Sequence, residues 1–203
     1  MAWGTESVIT NCWFNGRIIA TKSSTGGILG GTYQATTTIA HCLNTGTLSL
    51  QASLSPGRVG GLCGYIYSSS KITLTDSLNA MSLDTGDYNV TQIGTIVGCL
   101  QNTGTTAEMN NVYGIMDFST NLLGYNQATG GDLGTTELTK EQIKGIDAYK
   151  NTSLDFENYW VLRTEEVPTL KAFDEGDLDV NWYYADSSAK EFTINTPQEL
   201  YGF

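Results

Sequence analysis

Two five-residue stretches, GGILG at 26–30 and GGLCG at 60–64, stand 34 residues apart, and a third, GTIVG at 94–98, follows at the same interval. Gly26, Gly60 and Gly94 open the copies and Gly30, Gly64 and Gly98 close them. Only Thr95 departs from the glycine held at the second place by Gly27 and Gly61. A looser set lies upstream: ITNCWFNG (9–16), IAHCLNTG (39–46), LTDSLNAM (74–81) and the weaker MNNVYGIM (109–116). These align Cys12, Cys42, Ser77 and Val112, and an Asn follows in the first three (Asn15, Asn44, Asn79), with Asn15 one place late. Second runs such as RIIA (17–20), TLSL (47–50) and MSLD (81–84) have the period-two character of short strands bounded by turn formers.

Short strands in one unit cannot bury their apolar faces alone, but stacked units can, with equivalent residues about 4.8 Å apart. The repeat therefore predicts an all-β chain folded as a right-handed parallel β-helix, a solenoid, with a short helix-containing C-terminal cap. One large coil or two small ones both satisfy the spacing of 34; one coil of three strands and a long loop is favoured. Glycine in the motif serves positive φ at corners and close approach of stacked backbones. Ile28, Leu62 and Ile96 are expected to form one vertical ladder. Leu29, Cys63 and Val97 are expected to form its neighbour, on the other face or at a bend. Asn15, Asn44 and Asn79 are expected to stack their carboxamides in a corner, each bonding the next. His41, beside Cys42, is expected to face solvent.

Composition agrees with strands and turns. Charged residues make up 15% of 203 and prolines number three, while Thr, Ser, Asn and Gly are abundant, which disfavours a charged helical bundle. The charge is uneven: residues 1–129 carry six acids and four bases, a net of −2, and residues 130–203 carry fifteen and six, a net of −9. A boundary near 130 is expected. The absence of a basic patch argues against nucleic acid as a partner. No apolar stretch approaches a membrane span, so membrane insertion of this segment is not expected. MAWGTES shows no charged-then-apolar leader and reads as a start placed on an excised segment. Cys12, Cys42, Cys63 and Cys99 include no CxxC pair and His41 is the only histidine, so no metal site is expected. A Cys12–Cys42 disulfide stays open if the two become neighbours; small buried thiols are the simpler expectation.

The quoted glycine stretches, with NCWFNG and HCLNTG before them, resemble the GLUG motif, the glycine–leucine–apolar–glycine repeat of large bacterial surface proteins, among them surface-anchored peptidases and adhesins. The resemblance covers about residues 7–125, with LLG at 122–124 as the remnant of a fourth copy. Residues 135–173 look like the segment that closes such arrays, carrying Asp155, Phe156, Trp160, Pro168 and Leu170. Thr139 with Gln142 forms a capping-box pattern for a helical turn at 140–145, and Phe156, Trp160, Val161 and Leu162 are large enough to cover an open solenoid end. The tail WYYADSSAKEFTINTPQELYGF resembles the opening of a further module, with EFTI as a strand and Thr196, Pro197 and Glu199 starting a helix. Three regions are thus expected: repeats over 1–129, a capping segment over 130–173, and an acidic linker with the start of another module over 174–203.

Catalysis is not expected. Parallel β-helices that cleave polysaccharides gather carboxylates on one strand face, whereas the solenoid region holds only Asp76, Asp84, Asp87, Glu108 and Asp117 besides Glu6. Asp84 and Asp87 flank Gly86 in a turn-like loop, Arg58 in SPGRVGG pairs with no acid in sequence, and no triad, nucleophile elbow or P-loop occurs. The run DEGDLDVN at 174–181 does not match an EF-hand and reads as an acidic linker; no cofactor is expected. The candidate ligand-binding residues are Tyr33, Tyr65 and Tyr67: Tyr65 and Tyr67 share one side of a strand, and Tyr33 and Tyr67 each follow a closing glycine by three residues. The resemblance implies a non-catalytic repeat module of a secreted or surface-anchored bacterial protein, extracellular and associated with cell wall or outer membrane. As an adhesin stalk or interaction surface it would meet host or matrix glycans or proteins and further modules of its own polypeptide. The alternative is a carbohydrate-binding or polysaccharide-cleaving β-helix module.

Overall fold

The computed structural model describes residues 2–4, 6–101, 104–115, 117, 119, 121–128, 133–180, 188 and 193–202. The chain divides into two compact units, Met1–Leu138 and Thr139–Phe203. The first is a parallel β-solenoid, as the repeat requires. Its coil is a single turn of about 34 residues with four sheets rather than three. Sheet I stacks Glu6–Thr10, Thr36–Ala40, Lys71–Asn79, Thr106–Ile115 and Leu133–Leu138. Sheet II stacks Arg17–Ala20, Thr47–Leu50 and Ser82–Asp84, and sheet III stacks Thr25–Gly26, Leu54–Gly60 and Val90–Gly94. Sheet IV stacks Ala2–Trp3, Leu29–Tyr33, Cys63–Ile66, Val97–Leu100 and Leu123–Asn126. The strand at Leu133–Leu138 pairs in parallel with Thr106–Ile115, which carries the first unit past the boundary expected near 130.

The expected ladders form. Ile28 N donates to Leu62 O, Leu62 N to Ile96 O (3.0 Å each) and Ile96 N to Leu122 O at 2.9 Å. Cys63 lies in register with both Leu29 and Val97. Both ladders face one core, built with Ile66, Leu100, Ile39, Ile72, Leu74, Met109 and Val112. A second core between sheets II and III gathers Ala20, Leu48, Leu50, Leu54, Val59 and Met81.

The glycine motif joins sheet III to sheet IV by a turn that presses toward the far wall of the coil. There Asn44 Nδ2 donates to Gly61 O at 2.5 Å and to Asn79 Oδ1 at 2.9 Å, while Asn44 Oδ1 accepts from Gly46 N at 3.2 Å. None of the motif glycines adopts positive φ. All but Gly30 are required by space: a Cβ on Gly64 would stand 2.6 Å from Thr25 O and 2.7 Å from Gly30 O, and one on Gly60 would stand 2.6 Å from Gly98 N. The opening glycine of one coil thus lies against the closing glycine of the next.

Left-handed backbone occurs instead in two other columns. Asn11, His41, Asp76 and Asn111 have φ of 51°, 51°, 46° and 53°, and Gly4, Gln34, Ser69 and Gly104 have 62°, 50°, 59° and 68°. The first column bends each coil at the end of its first sheet I run; the second makes the corner from sheet IV to sheet I.

Two local expectations are corrected. The asparagine stack has two members, because Phe14 rather than Asn15 is in register with Asn44. Displaced by one residue, Asn15 turns outward and accepts from Thr45 Oγ1 at 3.1 Å. His41 does not face solvent freely: its side chain is 19% exposed and its Nε2 is 4.0 Å from the Asp76 carboxylate, one coil away. All four cysteines are free thiols; Cys42, stacked next to Cys12, is pushed up to about 11 by burial, and burial pushes Cys63 up to about 12.

In the second unit Thr139 and Gln142 form the expected reciprocal capping box, with bonds of 2.9 and 3.2 Å. It opens only a turn at 140–143. Gly145, at φ 52°, breaks the path, and helix α1 follows at Gly145–Asn151. Trp160–Val161 pairs antiparallel with Thr169–Leu170, and Phe156, Trp160 and Leu162 are buried. The acidic run is folded rather than a linker. Arg163 Nη1 is 2.8 Å from Asp174 Oδ2, Asp177 Oδ1 accepts from Thr164 N at 2.7 Å, and Leu178 bridges to Leu162. Helix α2, Pro197–Tyr201, has the expected capping box between Thr196 and Glu199. The Trp-Tyr pair at 182–183 and Glu191 and Phe192 of the expected EFTI strand lie outside the described residues, and Thr193 and Ile194 are not in a strand.

Candidate functional site

The three tyrosines singled out from sequence come together on the outside of sheet IV. Ile66 points into the core, so alternation turns its neighbours Tyr65 and Tyr67 outward. The ring centroids of Tyr33 and Tyr67 are 4.7 Å apart, and those of Tyr65 and Tyr67 5.1 Å, nearly perpendicular at 82°. The second is the edge-to-face contact that aromatic quadrupoles favour, and the first is tilted, with 46° between the ring planes.

Exposure divides the group. Tyr67 is 36% exposed and Tyr33 half-buried, but Tyr65 is only 5% exposed. The glycine turn brings the outer side of sheet III against the outer side of sheet IV. Arg58 there places its guanidinium carbon 4.0 Å from the Tyr65 ring centroid. The Tyr65 hydroxyl donates to Gln101 Oε1 on the next coil. Burial pushes the Tyr65 phenol up to about 12, against the opposing pull of the Arg58 charge. Cys99, next to Tyr65 in register, is also raised by burial and partly lowered by Arg58.

The result is a notch rather than a flat platform. Its floor is the Arg58–Tyr65 stack, its rim Tyr67 and Tyr33, and Tyr125, 39% exposed, continues the outward column after Tyr65 and Cys99. Arg58 Nε and the Oε1 of Gln92, its register partner, are buried without a hydrogen-bond partner. Sequence reasoning missed the role of Arg58, because the guanidinium meets Tyr65 only once the intervening glycine turn has folded back.

The remaining candidates stay apart from the notch. Asp84 accepts from Gly86 N at 3.0 Å within an exposed turn closed by Tyr88 N donating to Thr85 O, which gives Asp84 a turn-forming role. Among the described residues no group of three or more His, Cys, Asp or Glu gathers in metal-holding geometry, and no helix is long and apolar enough to cross a membrane.

No family model matches the chain, and no curated protein matches it. It is similar to the crystal structure of a "putative immunoglobulin A1 protease" from Bacteroides ovatus, with 22% identity and a TM-score of 0.47, over 81% of this chain and 57% of that one. The chain thus spans little more than half the length of that structure.

Proposed function

We propose that the chain is a GLUG-type, non-catalytic repeat module of a secreted or surface-anchored bacterial protein, acting as a stalk or interaction surface. The observation that carries the proposal is the glycine interlock: Gly26 against Gly64, Gly60 against Gly98 and Gly94 against Gly124, each within 2.6 Å of where a side chain would begin. It gives the glycine–apolar–apolar–glycine motif a mechanical task, holding successive coils at backbone contact. A rod of such coils presents outward columns like Val8–Thr38–Thr73–Glu108, one residue per coil in register. Repeated short polar columns on a rigid support suit spacing and adhesion.

The test is accessibility in the organism that encodes the chain. Antibodies raised against this segment should label intact cells, and external protease should remove the label. Labelling confined to permeabilised cells would contradict a surface role.

A further inference from the structure

We infer that the notch between sheets III and IV binds a carboxylated pyranose within an acidic oligosaccharide. The inference rests on the surface-module proposal and names the ligand class of its interaction face.

The first support is Arg58. The protein carries a formal charge of −11, yet no carboxylate lies within ion-pair reach of this half-buried guanidinium among the described residues. Arg163, by contrast, is held by Asp174 and Asp177. Stacking on Tyr65 fixes the guanidinium plane and keeps its N–H edge for a planar anion, the geometry in which arginine recognises carboxylates with paired hydrogen bonds. The Cys99 thiol accepts a hydrogen bond from the guanidinium, and a carboxylate supplied by a ligand would add the opposite charge that no neighbouring side chain among the described residues provides.

The second support is the rim. Tyr67, in edge contact with Tyr65 at 5.1 Å, and Tyr33, 4.7 Å further, offer aromatic surface at the distance a sugar ring attached to that carboxylate would reach. Gln92 Oε1, buried without a donor beside Arg58, is an acceptor suited to a sugar hydroxyl. One cation, one unsatisfied acceptor and aromatic faces form a polar-plus-stacking set that fits an acidic sugar better than a simple anion, which would leave the tyrosines unused.

The test is isothermal titration of the whole chain with trigalacturonate and with sialyllactose, against lactose as the neutral control. At least one acidic sugar should bind about tenfold more tightly than lactose, and which one binds identifies the source as plant-type polysaccharide or animal glycan. Arg58→Gln should erase the preference for acid, and Tyr67→Ala should weaken binding with an unchanged melting temperature. Should Arg58→Gln melt early, Tyr67→Ala decides alone, since its ring is already exposed. Equal affinity for acidic and neutral sugars, or unchanged affinity in Tyr67→Ala, would overturn the inference. Surface labelling of cells is unaffected by either result, so the two proposals fail separately.

Discussion

Asn44 and Asn79 occupy space that Gly27 and Gly61 leave for them. A Cβ on Gly27 would collide with the Asn44 amide, and one on Gly61 with the Asn79 amide. The third coil reverses the exchange: Thr95 brings the side chain, and the residue in register with Asn79 is Gly114, whose Cβ would collide with the Thr95 methyl. One partner in each coil must be glycine. Gly114→Asn alone should therefore destabilise by about 1–3 kcal/mol through overpacking. Thr95→Gly alone should cost about 1 kcal/mol through lost contacts, backbone entropy and the bond from Thr95 Oγ1 to Ser119 O. The double variant should recover at least about 1 kcal/mol of the sum, because the introduced carboxamide gains room and can accept from Asn79 Nδ2, buried without a partner. Urea unfolding of the four proteins measures the coupling, and strict additivity would refute it. The glycines and the asparagines were visible in the sequence, but their complementarity was not. It acts across the coil, between residues 17 to 19 apart whose facing depends on two sheets being drawn together.

At the scale of the element, the glycine turn is a rigid connector whose demands differ from coil to coil. Gly64 is hemmed in by the Thr25 and Gly30 carbonyls at 2.6 and 2.7 Å, backbone atoms that cannot step aside. Gly30, the same position one coil earlier, would bring a Cβ no closer than 3.2 Å to anything but its neighbours, the nearest atom being Ser24 O. Gly64→Ala should cost about 3 kcal/mol or more, whereas Gly30→Ala should stay within about 1 kcal/mol of the parent, helped by reduced unfolded-chain entropy. Thermal melts of the two variants settle it; equal losses would show that the turn needs glycine for its own conformation and not for stacking. The motif and its period identified the solenoid because close approach leaves a mark in composition. The left-handed corners left almost none. Asn11, His41, Asp76 and Asn111 share one backbone state but not one residue type, so periodicity of apolar positions passes over them. The fourth sheet was hidden for a related reason: Thr25–Gly26 is two residues long and reads as part of a loop.

At the scale of the whole molecule, charge and packing draw the boundary in different places. Charge alone put it near 130 and made the acidic tail a linker, since acids spaced along a sequence do not reveal which of them will meet a cation. The fold places Leu133–Leu138 in the solenoid and returns the acidic run to the second unit, where Asp174 and Asp177 converge on Arg163. A half-buried ion pair at 2.8 Å that also orders the bend at Gly176 and the Leu162–Leu178 bridge should contribute more than an exposed one. Arg163→Ala should therefore destabilise the second unit by about 1–2 kcal/mol, discounted for the exposure of both partners. Hydrogen exchange resolves where the loss falls. Faster exchange is expected at Asp177 N, which donates to Leu162 O at 3.1 Å, and at Thr164 N, while the sheet I and sheet IV amides of the solenoid keep their protection. Protection lost equally in both units would mean that the chain unfolds as one body, and slow exchange retained at Asp177 N would show that its bond to Leu162 O holds without Arg163, which refutes the role given to the ion pair.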